Sequence, residues 1–62
     1  MNVEKLKEFR RRKALTQRDL ANQAGISYVT INQIEQGKHV ARASTIRKLA
    51  EALGVKPEEL TG

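Results

Sequence analysis

The apolar residues of this chain return at three- and four-residue steps, in blocks closed by Gly25, Gly37 and Gly54. That is the rhythm of helices with one buried face, and no stretch reads as a strand. The expectation is an all-α bundle of five short helices. At 62 residues the chain has room for one domain, residues 1–62, since a typical domain runs to ~100–200 residues. A chain of this size buries only about 60% of its unfolded surface, which leaves little to line a deep, dry substrate pocket.

Val3, Leu6 and Phe9, with the stem of Lys13, mark a first helix over about residues 2–13. Thr16 offers an N-cap, with Asp19 as its capping-box partner, to a second helix over 17–24 that buries Leu20, Ala21 and Ala24. Gly25 supplies the left-handed stop that only glycine takes without steric cost. Ile26 then plugs the core, Ser27 caps a third helix over about 28–36, and Gly37 closes it. Lys38 to Ala43 reads as a loop. Ser44 caps a fourth helix burying Ile46, Leu49, Ala50 and Leu53, unless that helix starts two residues earlier. Pro57 suits the first position of a short last helix, with Glu58 and Glu59 at its positive end and Leu60 turned inward.

Composition excludes several classes. Without cysteine there is neither a disulfide framework nor a zinc finger of the Cys-Cys-His-His type. No apolar run approaches the ~18 residues of a membrane span, and the charged start does not read as a secretory signal. The expectation is a cytoplasmic domain. The net charge is +5, unevenly spread: residues 1–48 hold eleven basic and four acidic side chains, whereas 49–62 set Lys56 against Glu51, Glu58 and Glu59. A basic body with an acidic end points to one face meeting a polyanion. A solubilising surface would give the same arithmetic.

The third helix narrows that choice. At about 100° per residue from Ile31, Ile34 falls near −60° and Ser27 near −40°, which fixes the core direction. Val29, Asn32, Gln33 and Gln36 then point away from the core, with Tyr28 on the flank. An exposed stripe on a basic protein normally carries Lys, Glu or Arg. This one carries amides, a phenol and a valine, with no formal charge before Glu35. Amides can match the N6/N7 edge of adenine and an apolar side chain can meet a thymine methyl, inside a major groove roughly 12 Å wide. An ordinary polar helix face is the competing reading.

Helix, glycine-containing turn and helix is the arrangement that projects a second helix outward from a supporting one. The run from Gln17 to Gly37, with Leu6, Arg10, Leu15-Thr16, Thr45, Leu49-Ala50, Ala52 to Val55 and Pro57 to Leu60, resembles the Cro/C1-type (XRE-type) helix-turn-helix phage repressor family. The resemblance covers about residues 3–60, and its specificity lies in the joint spacing of pieces that are weak singly. It implies a lambda-repressor-like bundle with the motif at about 17–36. It also implies a sequence-specific double-stranded DNA-binding regulator, a repressor, that places the third helix in the major groove.

On this resemblance Gln17 matches a side chain that caps onto a DNA phosphate. Ser27, Tyr28, Val29, Asn32 and Gln33 match positions that reach base edges or adjoining phosphates. Lys38 and Arg42 match loop positions that hold the backbone. Arg10 and Glu35 match an internal ion pair, structural first. Two departures stand out. Ala41 and Arg42 occupy places where the family often has proline and a Ser or Thr cap, and Tyr28 is bulkier than the residues common there. Arg42 could enter a narrow minor groove or meet only solvent, with phosphate contact the favoured reading. Tyr28 could reach a phosphate through its hydroxyl or simply pack over the flank.

The other polar residues carry less. His39 is the only histidine and reads as solvated; with no second ligand nearby there is no metal site, and no cofactor is implied. Glu58 and Glu59 sit about 100° apart on a helix and make no acid/base pair. Arg10 to Lys13 could be a phosphate-facing patch, a solvated face, or both, with Arg11 and Arg12 assigned to solvent. No nucleophile–base pair or glycine-rich phosphate loop supports an enzyme. The alternative class is an antitoxin-type protein-interaction module with autoregulatory DNA binding. It would need an exposed apolar patch away from the third helix, and only Val40 suggests one. One small domain reads few base pairs, so a homodimer on a pseudo-palindromic operator is expected, with half-sites ~34–36 Å apart.

Overall fold

The computed structural model describes residues 1–62. Five helices follow in order: α1 (Val3–Arg12), α2 (Gln17–Ala24), α3 (Tyr28–Glu35), α4 (Ala43–Leu53) and α5 (Pro57–Thr61). None is long and apolar enough to cross a membrane.

Each boundary has a local cause. Asn2 caps α1 by accepting the Lys5 N–H at 3.2 Å. Thr16 and Asp19 form the anticipated reciprocal box, each accepting the other's backbone N–H at 3.0 Å. Gly25 ends α2 at φ +70°, a conformation that costs other L-residues roughly 1–2 kcal/mol. Ser27 Oγ accepts the Val29 N–H at 3.1 Å and opens α3. At the start of α5, Glu59 reaches back to the Lys56 N–H at 2.8 Å.

Three details differ from the sequence expectation. Lys13 lies outside α1 as its exposed C-cap, so its stem is not part of the buried face. The turn that follows holds Ala14 at φ +56°. There the Ala14 N–H bonds to the Arg11 carbonyl and the Leu15 N–H to the Arg10 carbonyl, a Schellman closure without its usual glycine. The fourth helix takes the earlier of the two anticipated starts, with Arg42 in the N-cap place and no side-chain cap. Ser44 is therefore not the cap.

The core gathers Leu6, Leu20, Ala21, Ala24, Ile31, Ile34, Leu49, Ala50, Leu53 and Leu60. Helix α2 packs on α3 and α4, α1 on α3 and α5, and α4 on α5. Leu60, fully buried, ties the short last helix to the rest. The Asn2 N–H donates to the Leu60 carbonyl at 2.7 Å and draws the two ends of the chain together. Ile31 and Ile34, at 0% and 1% exposure, fix the rotation of α3 about its own axis. Its opposite face is left outside.

Candidate nucleic-acid interface

What α3 shows to solvent follows from those two isoleucines. Tyr28, Val29, Gln33 and Gln36 are exposed, whereas Asn32 is half-buried. Val29 keeps 57% of its surface, a large exposure for an aliphatic side chain inside a helix. The stripe expected from the helical wheel is thus outside, with Asn32 drawn inward from it.

The reason is an unbroken series of side-chain hydrogen bonds. Gln36 Nε2 donates to Asn32 Oδ1 at 2.7 Å, and Asn32 Nδ2 donates to Gln17 Oε1 at 3.1 Å. Gln17 Nε2 in turn donates to Glu35 Oε1 at 3.0 Å. Glu35 then meets Arg10, whose Nε and Nη2 lie 2.7 and 3.0 Å from its two oxygens. The Glu35 side chain is only 4% exposed and that of Arg10 13%. Burial pushes the Glu35 carboxyl upward, but the hydrogen bonds from Arg10 and Gln17 and the positive charges of Arg10 and Lys7 outweigh it. The net effect holds the group below the usual carboxylate range. Gln17 is therefore half-buried, with one N–H and its carbonyl oxygen already engaged inside the protein.

The other anticipated site residues lie at the two ends of α3 and in the loop beyond it. Ser27 sits at the cap of α3 and Tyr28 at its first turn. Lys38 is held close to the other end of α3, since its N–H donates to the Gln33 carbonyl at 2.9 Å while Gly37 turns at φ +74°. Arg42 is exposed at the start of α4, beyond the loop. No side-chain bond ties Lys38 or Arg42 to the amide series.

One basic residue escaped the sequence reading. Arg18, on the first turn of α2, places its guanidinium over the Tyr28 ring, 4.4 Å from the centroid. Such stacking is worth about 0.5–1 kcal/mol at an exposed site. A cation near a helix N-terminus opposes the helix dipole, and that misplacement was the available signal. Gln36 lies on the outer face, and its i, i+4 spacing from Asn32 is the sequence signal for the hydrogen bond between them.

Known proteins resemble the chain in sequence and in fold. A helix-turn-helix family model matches residues 6–60. The chain is 45% identical over 58 residues to the uncharacterized HTH-type transcriptional regulator RghRB of Bacillus subtilis, covering 92% of this chain and 42% of that protein. It is 43% identical over 58 residues to the HTH-type transcriptional repressor RghR of the same organism, covering 92% and 43%. An uncharacterized HTH-type transcriptional regulator of Methanocaldococcus jannaschii is 43% identical over 56 residues, covering 90% and 85%. The chain thus spans less than half the length of the two Bacillus relatives. Among solved structures, the restriction-modification controller protein C.AhdI from Aeromonas hydrophila matches with a TM-score of 0.90 at 34% identity, over 94% of this chain and 88% of that one.

Proposed function

The chain belongs to the Cro/C1-type (XRE-type) helix-turn-helix family of transcriptional regulators, and from that premise we propose that it is a sequence-specific double-stranded DNA-binding domain that acts in repression. One observation carries this reading. Helix α3 is locked by Ile31 and Ile34, yet exposes Val29, Gln33 and Gln36 with no formal charge among them. An uncharged stripe of amides and an aliphatic side chain suits base edges in the major groove.

Around it, Lys38 and Arg42 neutralise phosphates beyond α3, while Ser27 and Tyr28 approach the backbone at its start. Gln17 turns its remaining N–H to a phosphate. Phosphate neutralisation gives sequence-independent affinity, with Kd of ~10⁻⁴–10⁻⁶ M, and each good base contact adds about 1–3 kcal/mol of discrimination. Two copies on a pseudo-palindromic operator would join two such half-sites. The reading places the domain in the cytoplasm, where the chromosome of a bacterial or archaeal cell lies.

Random-site selection on duplex DNA, followed by footprinting of the winners, tests the proposal. Enrichment of a defined sequence with two-fold symmetry supports it. Scrambled duplexes that compete as well as any selected site remove it.

A further inference from the structure

The hydrogen-bond series between Arg10 and Gln36 has a direction. A carboxylate only accepts, so Gln17 must turn its NH₂ group toward Glu35, at 3.0 Å. Its carbonyl oxygen is then left facing Asn32, which can answer only with Nδ2, at 3.1 Å. Asn32 Oδ1 consequently faces along α3 and takes the Gln36 NH₂ at 2.7 Å. Reversing any one amide requires reversing its inner neighbours. The reversal ends with a carbonyl oxygen of Gln17 against the carboxylate of Glu35, two acceptors with no proton between them. Arg10 cannot relieve that clash, because its Nε and Nη2 are already spent on the same carboxylate.

We propose that Glu35 is a positioning residue for sequence discrimination: this buried carboxylate, which never meets DNA, fixes which way round Asn32 and Gln36 present their amides to base edges. The inference rests on the DNA-reading role of α3 set out above and assigns the ordering of that face to a group behind it. An amide reads adenine by offering a donor and an acceptor in a set order. Turned over, it offers the same groups in reverse and loses the match at the same place. In solvent the two orientations are nearly equal in energy; here the anion permits only one. Gln33 stands outside the series and is exposed, so its discrimination does not depend on Glu35.

Two variants and two readouts test this. Glu35→Gln keeps the size of the side chain and removes the obligatory acceptor. Gln17→Leu cuts the link while leaving the Arg10–Glu35 pair in place, and so serves where the first variant folds poorly. In the free protein, exchange of side-chain amide protons followed by NMR is expected to be slow for Gln17 and Asn32, and fast for Asn32 in both variants. In site selection, the preference at the base pair that Asn32→Ala maps is expected to fall about tenfold in both variants, while the preference mapped by Gln33→Ala stays within about twofold. Because no cation is removed, the dependence of affinity on salt is expected to keep its slope. Loss of amide protection with the Asn32 preference intact overturns the proposal and leaves DNA reading standing. A uniform weakening on every sequence by Gln17→Leu, with preferences unchanged, also overturns it. A wild-type domain that selects no sequence removes the DNA-reading role and this proposal with it.

Discussion

The Arg10 guanidinium holds the Glu35 carboxylate in a two-point grip, Nε to Oε2 at 2.7 Å and Nη2 to Oε1 at 3.0 Å. Its remaining Nη1 donates to the Leu15 carbonyl at 2.9 Å. One side chain thereby joins α1, the turn into α2 and the end of α3. Arg10→Ala would leave a carboxylate almost fully buried with Gln17 as its only side-chain donor. Removing one partner of a buried pair costs about 3–5 kcal/mol, a large fraction of the stability of a small domain. Urea unfolding at neutral pH is expected to show a loss of about 3 kcal/mol, at the low end of that range. A loss under about 1 kcal/mol would place the pair among ordinary surface bridges.

The same pair sets the response to acid. The folded-state pKa of Glu35 lies below its ordinary value, and so does that of Asp19, which accepts the backbone and hydroxyl hydrogen bonds of Thr16. The unfolded chain therefore binds protons first as pH falls. Stability from these groups is full above the unfolded carboxylate range and is lost as pH drops through the depressed folded values. Urea midpoints measured from neutral pH downward are expected to stay level and then decline below about pH 5. Glu35→Gln is expected to be less stable at neutral pH and to show a shallower acid decline. An equally steep decline in that variant would assign acid sensitivity elsewhere.

Ala14 carries the one positive φ outside glycine, at +56°. The left-handed conformation costs an alanine roughly 1–2 kcal/mol relative to its right-handed form, and glycine escapes most of it. Ala14→Gly keeps both closing hydrogen bonds and is expected to stabilise the domain by about 0.5–1 kcal/mol, after its larger entropy loss on folding. For a domain of this size that corresponds to a rise in Tm of several degrees, roughly 4–8 °C per kcal/mol. A lower Tm would show that the turn does not hold its shape without the Cβ.

The same residue shows where sequence reading stops. Gly25 and Gly54 announced their turns because glycine is the cheapest left-handed residue, and both sit near φ +70°. Ala14 gave no such signal, since the hydrogen bonds that close the turn onto the Arg11 and Arg10 carbonyls hold its conformation. The rotation of α3 was legible because Ile31 and Ile34 leave one direction for the core. The inward pull on Asn32 was not, because it depends on Gln17 from another helix, 15 positions away. Arg18 went unseen for a like reason: its partner Tyr28 lies across the turn, and periodicity within one helix says nothing about a contact between two. The start of α4 stayed ambiguous because Arg42 caps with no side-chain bond.

On the proposed reading, the Arg18–Tyr28 stack bears on which of the two meets the DNA backbone. If the ring serves as a platform that aims the guanidinium, Tyr28→Phe keeps the platform and affinity stays within about twofold, as the attraction comes from the ring face. Tyr28→Leu is expected to weaken binding on all sequences. Arg18→Ala is expected to weaken it further and to lower the slope of log affinity on log salt by about one phosphate contact. A strong effect of Tyr28→Phe would instead assign the contact to the phenol hydroxyl.

On the proposed reading Gln33 and Lys38 separate the two components of recognition, because they differ in charge and lie at the same end of α3. Gln33 is exposed, neutral and outside the amide series, so it can offer its full donor and acceptor pair to a base. Lys38, tied by its N–H to the Gln33 carbonyl at 2.9 Å, presents a cation just past the helix end. Gln33→Ala is expected to reduce the preference for the selected sequence by about 1–3 kcal/mol while leaving the salt slope unchanged. Lys38→Ala is expected to do the reverse, weakening all sequences alike and lowering the slope by about one. Titrations of selected and scrambled duplexes at several salt concentrations measure both quantities at once. Equal losses on both duplexes for Gln33→Ala would place its amide away from the bases and turn the exposed stripe of α3 into an ordinary solvated face.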